Sequence, residues 1–328
     1  MKILIAGYGS IGRRHLRNLL ALGERDIVLL RSNRSTLPED EIAQFPLETD
    51  LAAALDHRPD AVIISNPTAL HLDVAIPAAE AGCAILLEKP VSHSMQRVDQ
   101  FRAAVQRGGA RVLVGFQFRF HPMLHRAVQL LKEGAIGQPL SIRVQWGEYL
   151  PNWHPWEDFR QGYAARADLG GGVILTLCHP FDYVRMLLGD LSALWAFTSG
   201  GALGLPVEDN AEIGLQFASG AIGSVHLDYL QQPGTHIFEI VGSSGTLRWN
   251  NADALLSIYR PDRGGWQNEL PPDGFERNWL FMEEMRNFLA VARGEAEPAC
   301  TLEDGICALQ IALLARESAA DGLIKRIG

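Results

Sequence analysis

The sequence predicts an α/β protein in two parts: a doubly wound parallel sheet over residues 1–118, then an α+β region over 119–328 with a large open, mostly antiparallel sheet. Three observations carry this. Short apolar runs alternate with amphipathic stretches from Lys2 to Phe116, at the spacing of strand–helix–strand units. From Pro139 onward the pattern changes to alternating apolar and polar residues broken by Gly-rich turns, which reads as a hairpin meander. A chain of 328 residues also exceeds what one core usually supports.

The bulk composition narrows the class. With 47% hydrophobic and 20% charged residues the chain reads as soluble and globular. A net charge of −9 argues against nucleic acid as a partner, because phosphate binding wants a basic patch. No stretch approaches the roughly 20 apolar residues of a membrane helix. The first residues already read as a core strand, so neither membrane insertion nor a cleavable leader is expected. Cys83, Cys178, Cys300 and Cys307 form no C-x-x-C pair, which fits a reduced cytoplasmic protein with no metal site.

The chain opens on MKILIAGYGSIG, followed by the amphipathic RRHLRNLLALG. Lys2 to Ala6 suit a buried strand, and Gly7, Gly9 and Gly12 fall at G-x-G-x-x-G spacing with Ser10 and Ile11 between them. Each glycine has its own task in a dinucleotide site. Gly7 makes the tight turn, Gly9 lets backbone approach a pyrophosphate, and Gly12 lets helix and strand pack closely. The pyrophosphate then sits on unpaired N–H groups at the helix start. This motif, between a strand-like and a helix-like run, predicts a Rossmann nucleotide-binding domain.

A second strand is expected at Asp26–Arg31. In an NAD site such a strand ends in a carboxylate that accepts hydrogen bonds from the ribose 2′-hydroxyl. Here the chain reads Arg31-Ser32-Asn33-Arg34 instead. Arg31, Ser32 and Arg34 suit a 2′-phosphate, which arginine grips through charge-assisted bonds; the alternative is a solvated basic loop. The expected cofactor is therefore NADP(H) in preference to NAD(H), with NAD(H) as the other candidate.

Asp60–Ser65 reads as the next parallel strand, with Asn66-Pro67-Thr68 stopping it and Thr68 capping a helix over about 70–81 that includes His71. Ala84–Leu87 follows and ends in Glu88-Lys89-Pro90. Ligands of such sheets lie at the carboxyl ends of the strands, where Asn66, Thr68, Glu88 and Lys89 all fall, and these four with His71 are the candidate cofactor contacts there. A helix starting at Ser92 or Ser94 and a strand at Arg111–Phe116 complete this region, and a helix at Met123–Glu133 opens the next.

The segment from Pro151 to Arg160 holds Trp153, His154 and Trp156 in a string that does not alternate, so it is a loop with large side chains. Its tryptophans either stack on a sugar or nicotinamide ring or fill a gap beneath the loop. Gly170-Gly171-Gly172 then opens a helix on which Thr176, His179 and Asp182 recur at steps of three and so share a face. His179 is the candidate general base, since imidazole titrates near neutral pH. Trp279, Met282, Met285, Phe288 and Leu289 read as the packing stripe of a late helix. Thr301–Asp304 begins the last helix. His15, His57 and His93 read as surface residues.

GYGSIG, SNPTALH, LLEKP and GGGVILTLCHPFD together resemble the glucose–fructose oxidoreductase, inositol dehydrogenase and rhizopine-catabolism (Gfo/Idh/MocA) family across essentially the whole chain. The resemblance implies an NAD(P)-dependent oxidoreductase acting on a sugar, cyclitol or nucleotide sugar. It places Lys89 of EKP beside nicotinamide and substrate as a catalytic residue with His179. It further implies that Arg119 reaches substrate or cofactor, or forms a structural ion pair, and that Trp153, His154, Tyr163, Thr176 and Asp182 line the substrate site. Relatives commonly carry Asp where this chain has Thr176, so Asp182 or the substrate must compensate. A homodimer or dimer of dimers through the second sheet is implied too. The loop string from Leu150 is similar to a subgroup tied to bacterial surface-polysaccharide and sialic-acid-like sugars. Two other activities share the resemblance: a cofactor-binding sensor without turnover, like the yeast galactose repressor, and an NAD-dependent glycosidase with transient sugar oxidation.

Overall fold

The computed structural model describes residues 1–32 and 40–327, so Arg34 of the basic loop lies outside the described residues. The chain divides into two compact units. The first comprises residues 1–117, 168–170 and 276–309, and the second residues 118–167, 171–275 and 310–328.

The first unit is built on a parallel sheet. Its elements are β1 (Ile3–Ala6), α1 (Ser10–Ala21), β2 (Ile27–Leu30), β3 (Leu47–Glu48), α2 (Leu51–Asp56), β4 (Ala61–Ile64), α3 (His71–Glu80), β5 (Ala84–Glu88), α4 (Val98–Gly108) and β6 (Val112–Gly115). Among the described residues the strand order is β3-β2-β1-β4-β5-β6, the doubly wound arrangement expected. Strands β1, β4 and β5 are buried throughout, because helices cover both faces of such a sheet. Register brings Ala6 beside Leu30 and Ile64, and Ile64 beside Leu87. The turns after β1, β2, β4 and β5 therefore emerge at one edge of the sheet.

Two local expectations fail here. A single 3₁₀ turn, Thr68–Leu70, precedes α3, so Thr68 does not cap it. Helix α4 starts at Val98 rather than at Ser92 or Ser94, because Arg97 takes a left-handed φ of 67° that no helix can pass through.

The second unit holds α5 (Pro122–Lys132), β7 (Pro139–Gly147), α6 (Val173–Thr176), α7 (His179–Leu188), β8 (Leu191–Gly200), β9 (Glu208–Phe217), β10 (Ile222–Asp228), β11 (Thr235–Gly242), β12 (Thr246–Asn250), β13 (Leu255–Arg260) and β14 (Gly265–Glu269). Helix α8 (Arg277–Arg293) returns to the first unit, α9 (Leu302–Asp321) begins in the first and ends in the second, and β15 (Lys325–Arg326) closes the chain on the second sheet.

The second sheet runs β14-β13-β12-β11-β7-β10-β9-β8-β15. It is mixed: two meanders flank β7, which lies antiparallel to β11 but parallel to β10. A hairpin rule pairs only chain neighbours, and β7, first in sequence, inserts between strands formed far later. One face buries Ile142, Val144, Trp146, Phe238, Ile240, Leu247 and Trp249. The opposite face carries Trp195, Phe197, Ile222, Val241, Tyr259 and Trp266, all well exposed, and the register puts Val241, Tyr259 and Trp266 in one cross-strand row.

Candidate functional site

The glycine motif folds as its spacing demands. Gly7 has φ +103°, and a Cβ there would lie 2.5 Å from the Asn66 backbone nitrogen. A Cβ on Gly12 would lie 2.0 Å from the Gly7 carbonyl oxygen and 2.9 Å from Ser65 Oγ. Gly9 differs, with open space around its missing side chain. It is the N-cap of α1, no side chain caps that helix, and its first turn holds no acidic group. Ser10 is exposed and Ile11 half-buried beside it. The result is a concave backbone cradle at a helix N-terminus, with room only at Gly9, which fits a pyrophosphate.

The other strand ends converge on this edge. Ser65 Oγ donates to the Gly7 carbonyl at 2.9 Å, tying the turn after β4 to the glycine turn. Asn66 Nδ2 donates to the Leu70 carbonyl, and Thr68 is buried. The buried His71 ring spans the next gap, with Nδ1 2.9 Å from the Pro90 carbonyl and Nε2 3.0 Å from the Asn66 carbonyl. Burial lowers the His71 pKa, and the two carbonyls with Glu88 oppose the shift only in part. His71 thus braces the Asn66 turn against the turn that carries Lys89. Arg31 follows β2 and is 5% exposed, while Ser32 is exposed.

Glu88 ends β5 and is buried; Lys89 next to it is half-buried. His15 Nε2 lies 2.8 Å from Glu88 Oε1, so His15 is a core residue and not the surface residue its isolation in the sequence suggests. His57 is also engaged, 2.8 Å from Glu48 Oε1, and only His93 is plainly exposed.

In the second unit Gly171 and Gly172 are closely packed. A Cβ on Gly171 would meet the Tyr163 and Ala164 carbonyl oxygens at 2.4 and 2.6 Å, and Gly172, at φ +104°, packs on the Glu208 carboxyl. The single helix expected after it is broken in two. Thr176 ends α6 and His179 begins α7, because the Pro180 ring would strike the Thr176 carbonyl of a continuous helix. His179 and Asp182 share the first turn of α7, and Thr176, His179 and Asp182 are all buried.

Asp182 accepts a forked pair from Arg119, with Nε–Oδ2 at 2.9 Å and Nη2–Oδ1 at 2.6 Å. Of the two alternatives for Arg119 the ion pair is present. The His179 ring lies 5.2 Å from the Phe118 ring, edge-on, and 5.5 Å from that of Trp146. Trp146 in turn stacks on His236 at 4.1 Å, and the His236 Nε2 lies 3.1 Å from the Tyr183 hydroxyl. Burial, with help from His121, holds His236 well below the ordinary histidine range. Tyr229 donates to the Ala164 carbonyl at 3.3 Å. Trp153 meets Tyr229 edge-on at 5.8 Å and is half-buried. His154 lies 5.3 Å from Trp156, which is 61% exposed, and Tyr163 is half-buried.

Phe118, Trp146, Tyr183, Tyr229 and His236 escape a sequence reading, since aromatics at strand and helix spacing look like any core. Glu284 could have been found: it is a carboxylate at the i+4 position between Leu280 and Phe288 on a packing stripe.

Family comparisons agree with the two folds. A family model described as the NAD-binding Rossmann fold of an oxidoreductase family matches residues 1–116, and the C-terminal alpha/beta domain of the same family matches residues 128–325. This chain belongs to the Gfo/Idh/MocA oxidoreductase family. Its first unit accordingly matches an NAD-binding Rossmann fold, and the opening at Gly9 has room for such a group. The family member 1,5-anhydro-D-fructose reductase from Ensifer adhaerens is 29% identical over 80% of this chain and 78% of its own length. Myo-inositol 2-dehydrogenase from Thermotoga maritima is 25% identical over 97% of this chain and 96% of its own. In fold, levoglucosan dehydrogenase in complex with NADH and levoglucosan superposes with a TM-score of 0.87 at 23% identity, covering 100% and 99% of the two chains. The WlbA dehydrogenase from Bordetella pertussis, in complex with NADH and UDP-GlcNAcA, gives 0.83 at 21% identity over 100% and 99%.

Proposed function

We propose that the protein is an NAD(P)-dependent oxidoreductase that transfers a hydride between nicotinamide C4 and a carbinol carbon of a sugar, cyclitol or nucleotide sugar. The observation that carries this is the presence of the glycine cradle, Lys89 and His179 in one chain of a family whose named members are sugar and inositol dehydrogenases and reductases. The bound nicotinamide supplies the hydride acceptor or donor. The protein supplies binding and proton handling. Gly7, Gly9, Ser10, Ile11 and Gly12 hold the pyrophosphate, with Asn66, Thr68, His71 and Glu88 shaping the turns around them.

The Lys89 ammonium stabilises alkoxide charge as it develops on the reacting oxygen. His179, its ring steadied by Phe118 and Trp146, takes the hydroxyl proton. With the uncharged Thr176 at the end of α6, charge balance falls to Asp182, which is already committed to Arg119. We assign Arg119, Trp153, His154, Tyr163 and Thr176 to the substrate side. Arg31, Ser32 and Arg34 point to NADP(H) over NAD(H), since no carboxylate closes β2. The aromatic open face of the second sheet supports a homodimer, or a dimer of dimers, through that face. No described helix is long and apolar enough to cross a membrane, and we place the protein in the cytoplasm.

Absorbance at the reduced-nicotinamide band, followed against a panel of sugars, cyclitols and nucleotide sugars, tests the reading. Net reduction or oxidation with at least one member is expected. Cofactor binding without any turnover identifies a sensor, and sugar release without net nicotinamide change identifies a glycosidase; either result overturns the proposal.

A further inference from the structure

Helix α8 packs against α1, β5 and β6 within the first unit. Its inward stripe of Leu280, Phe281, Met285 and Phe288 is interrupted by Glu284, which is fully buried. Neither Glu284 carboxylate oxygen has a hydrogen-bond partner among the described residues. The side chain is aimed at the contact between His15 and Glu88: one ligand-type atom from each of the three residues lies within 4.8 Å of the other two. His15 and Glu88 are themselves 2.8 Å apart, and Glu88 Oε2 leans on β6, 3.3 Å from where a Cβ on Gly115 would lie.

An isolated carboxylate in such a place is strongly disfavoured, and a buried acid without a cation of its own takes a proton instead. The cationic groups nearby act on Glu88 instead, His15 first among them, with its Nε2 2.8 Å from Glu88 Oε1. From α1, Arg14 acts on Glu88 and lies over the Phe281 ring, and from α8 itself Arg277 faces Arg14. From α3, His71 acts on Glu88, as does Lys89 from the end of β5. The charged group acting on Glu284 is the Glu88 carboxylate, which repels it.

We propose that His15, Glu88 and Glu284 form a buried proton-holding site in which Glu284 is a neutral carboxylic acid at neutral pH while Glu88 stays ionised against His15, directly behind Lys89. Two carboxyls so close cannot both carry charge in an apolar interior. Burial and then the Glu88 charge drive Glu284 well above the ordinary glutamate range. Burial pushes Glu88 upward too, but the hydrogen bond and charge of His15, with Lys89 and His71, outweigh it and leave Glu88 low. The site fixes a carboxylate beside Lys89 and is independent of whether Lys89 takes part in turnover.

The test reads protons and not activity. Above the ordinary glutamate range the unfolded chain has lost the Glu284 proton that the folded chain keeps, so this residue makes stability fall as pH rises. Glu284→Gln removes that dependence and keeps the shape. Above about pH 5.5 the unfolding constant of the wild type should rise with pH relative to E284Q, by up to about tenfold per pH unit. Parallel pH profiles would overturn the proposal. If E284Q does not fold, the wild type alone decides: its infrared spectrum at neutral pH should contain the carbonyl stretch of a protonated carboxyl. Absence of that band refutes the assignment. So does a stoichiometric divalent metal in the purified protein whose removal by chelation opens the site.

Discussion

The glycine cradle makes a prediction in which two neighbouring substitutions part company. Gly7→Ala adds a Cβ where φ is +103° and the Asn66 nitrogen would be 2.5 Å away. The left-handed strain costs about 1–3 kcal/mol and the overlap with fixed backbone about 1–3 kcal/mol more. Stability should therefore fall by about 2–6 kcal/mol. Gly9→Ala adds the same methyl group into open space at φ −92°, which any residue adopts. Its stability should stay within about 0.5 kcal/mol of the wild type. That methyl group occupies the opening assigned to the pyrophosphate, so Gly9→Ala should weaken cofactor binding by about tenfold or more, the loss of one good hydrogen bond. Urea unfolding and a fluorescence titration of reduced cofactor measure the two quantities. The reasoning fails if Gly9→Ala destabilises as much as Gly7→Ala, or if it binds cofactor like the wild type.

Other expectations follow from the same structure. Asp182→Ala removes the forked partner of the half-buried Arg119 guanidinium and should cost about 1–3 kcal/mol in urea unfolding, whereas a loss below about 0.5 kcal/mol would make the pair incidental. NADP(H) should bind at least about tenfold tighter than NAD(H), and Arg34→Ala should remove most of that preference; equal dissociation constants would refute it. Light scattering at micromolar concentration should give twice the chain mass, and Trp195→Glu with Phe197→Glu should halve it, while a monomeric wild type would end the dimer proposal.

Much of the first unit was legible because its signals are local. The apolar run of Ile3–Ala6, the glycine spacing and the amphipathic α1 each mean the same thing alone and together, and β4 and β5 stop where Pro67 and Pro90 stop them. The parallel contact of β7 with β10 was not legible, because strand order in a mixed sheet is settled by pairings distant in sequence. Nor does α8 announce in its residues that it returns to the first sheet. The break between α6 and α7 was legible in principle from Pro180, but three polar residues at steps of three suggested one unbroken face. His15 misled for a different reason: a histidine without a local partner looks exposed until the fold brings Glu88, 73 positions later, onto its Nε2. Lys89 and Asp182 were marked by motif, while the rings around His179 are ordinary core types and carry no mark.

Of all these, the hydride-transfer rate of Lys89→Met in a single turnover, with cofactor saturation checked by titration, bears most directly on the chemistry. The account predicts a fall of about 10²–10⁴-fold with the cofactor dissociation constant within a few-fold of the wild type. A rate near that of the wild type at full cofactor occupancy would contradict it.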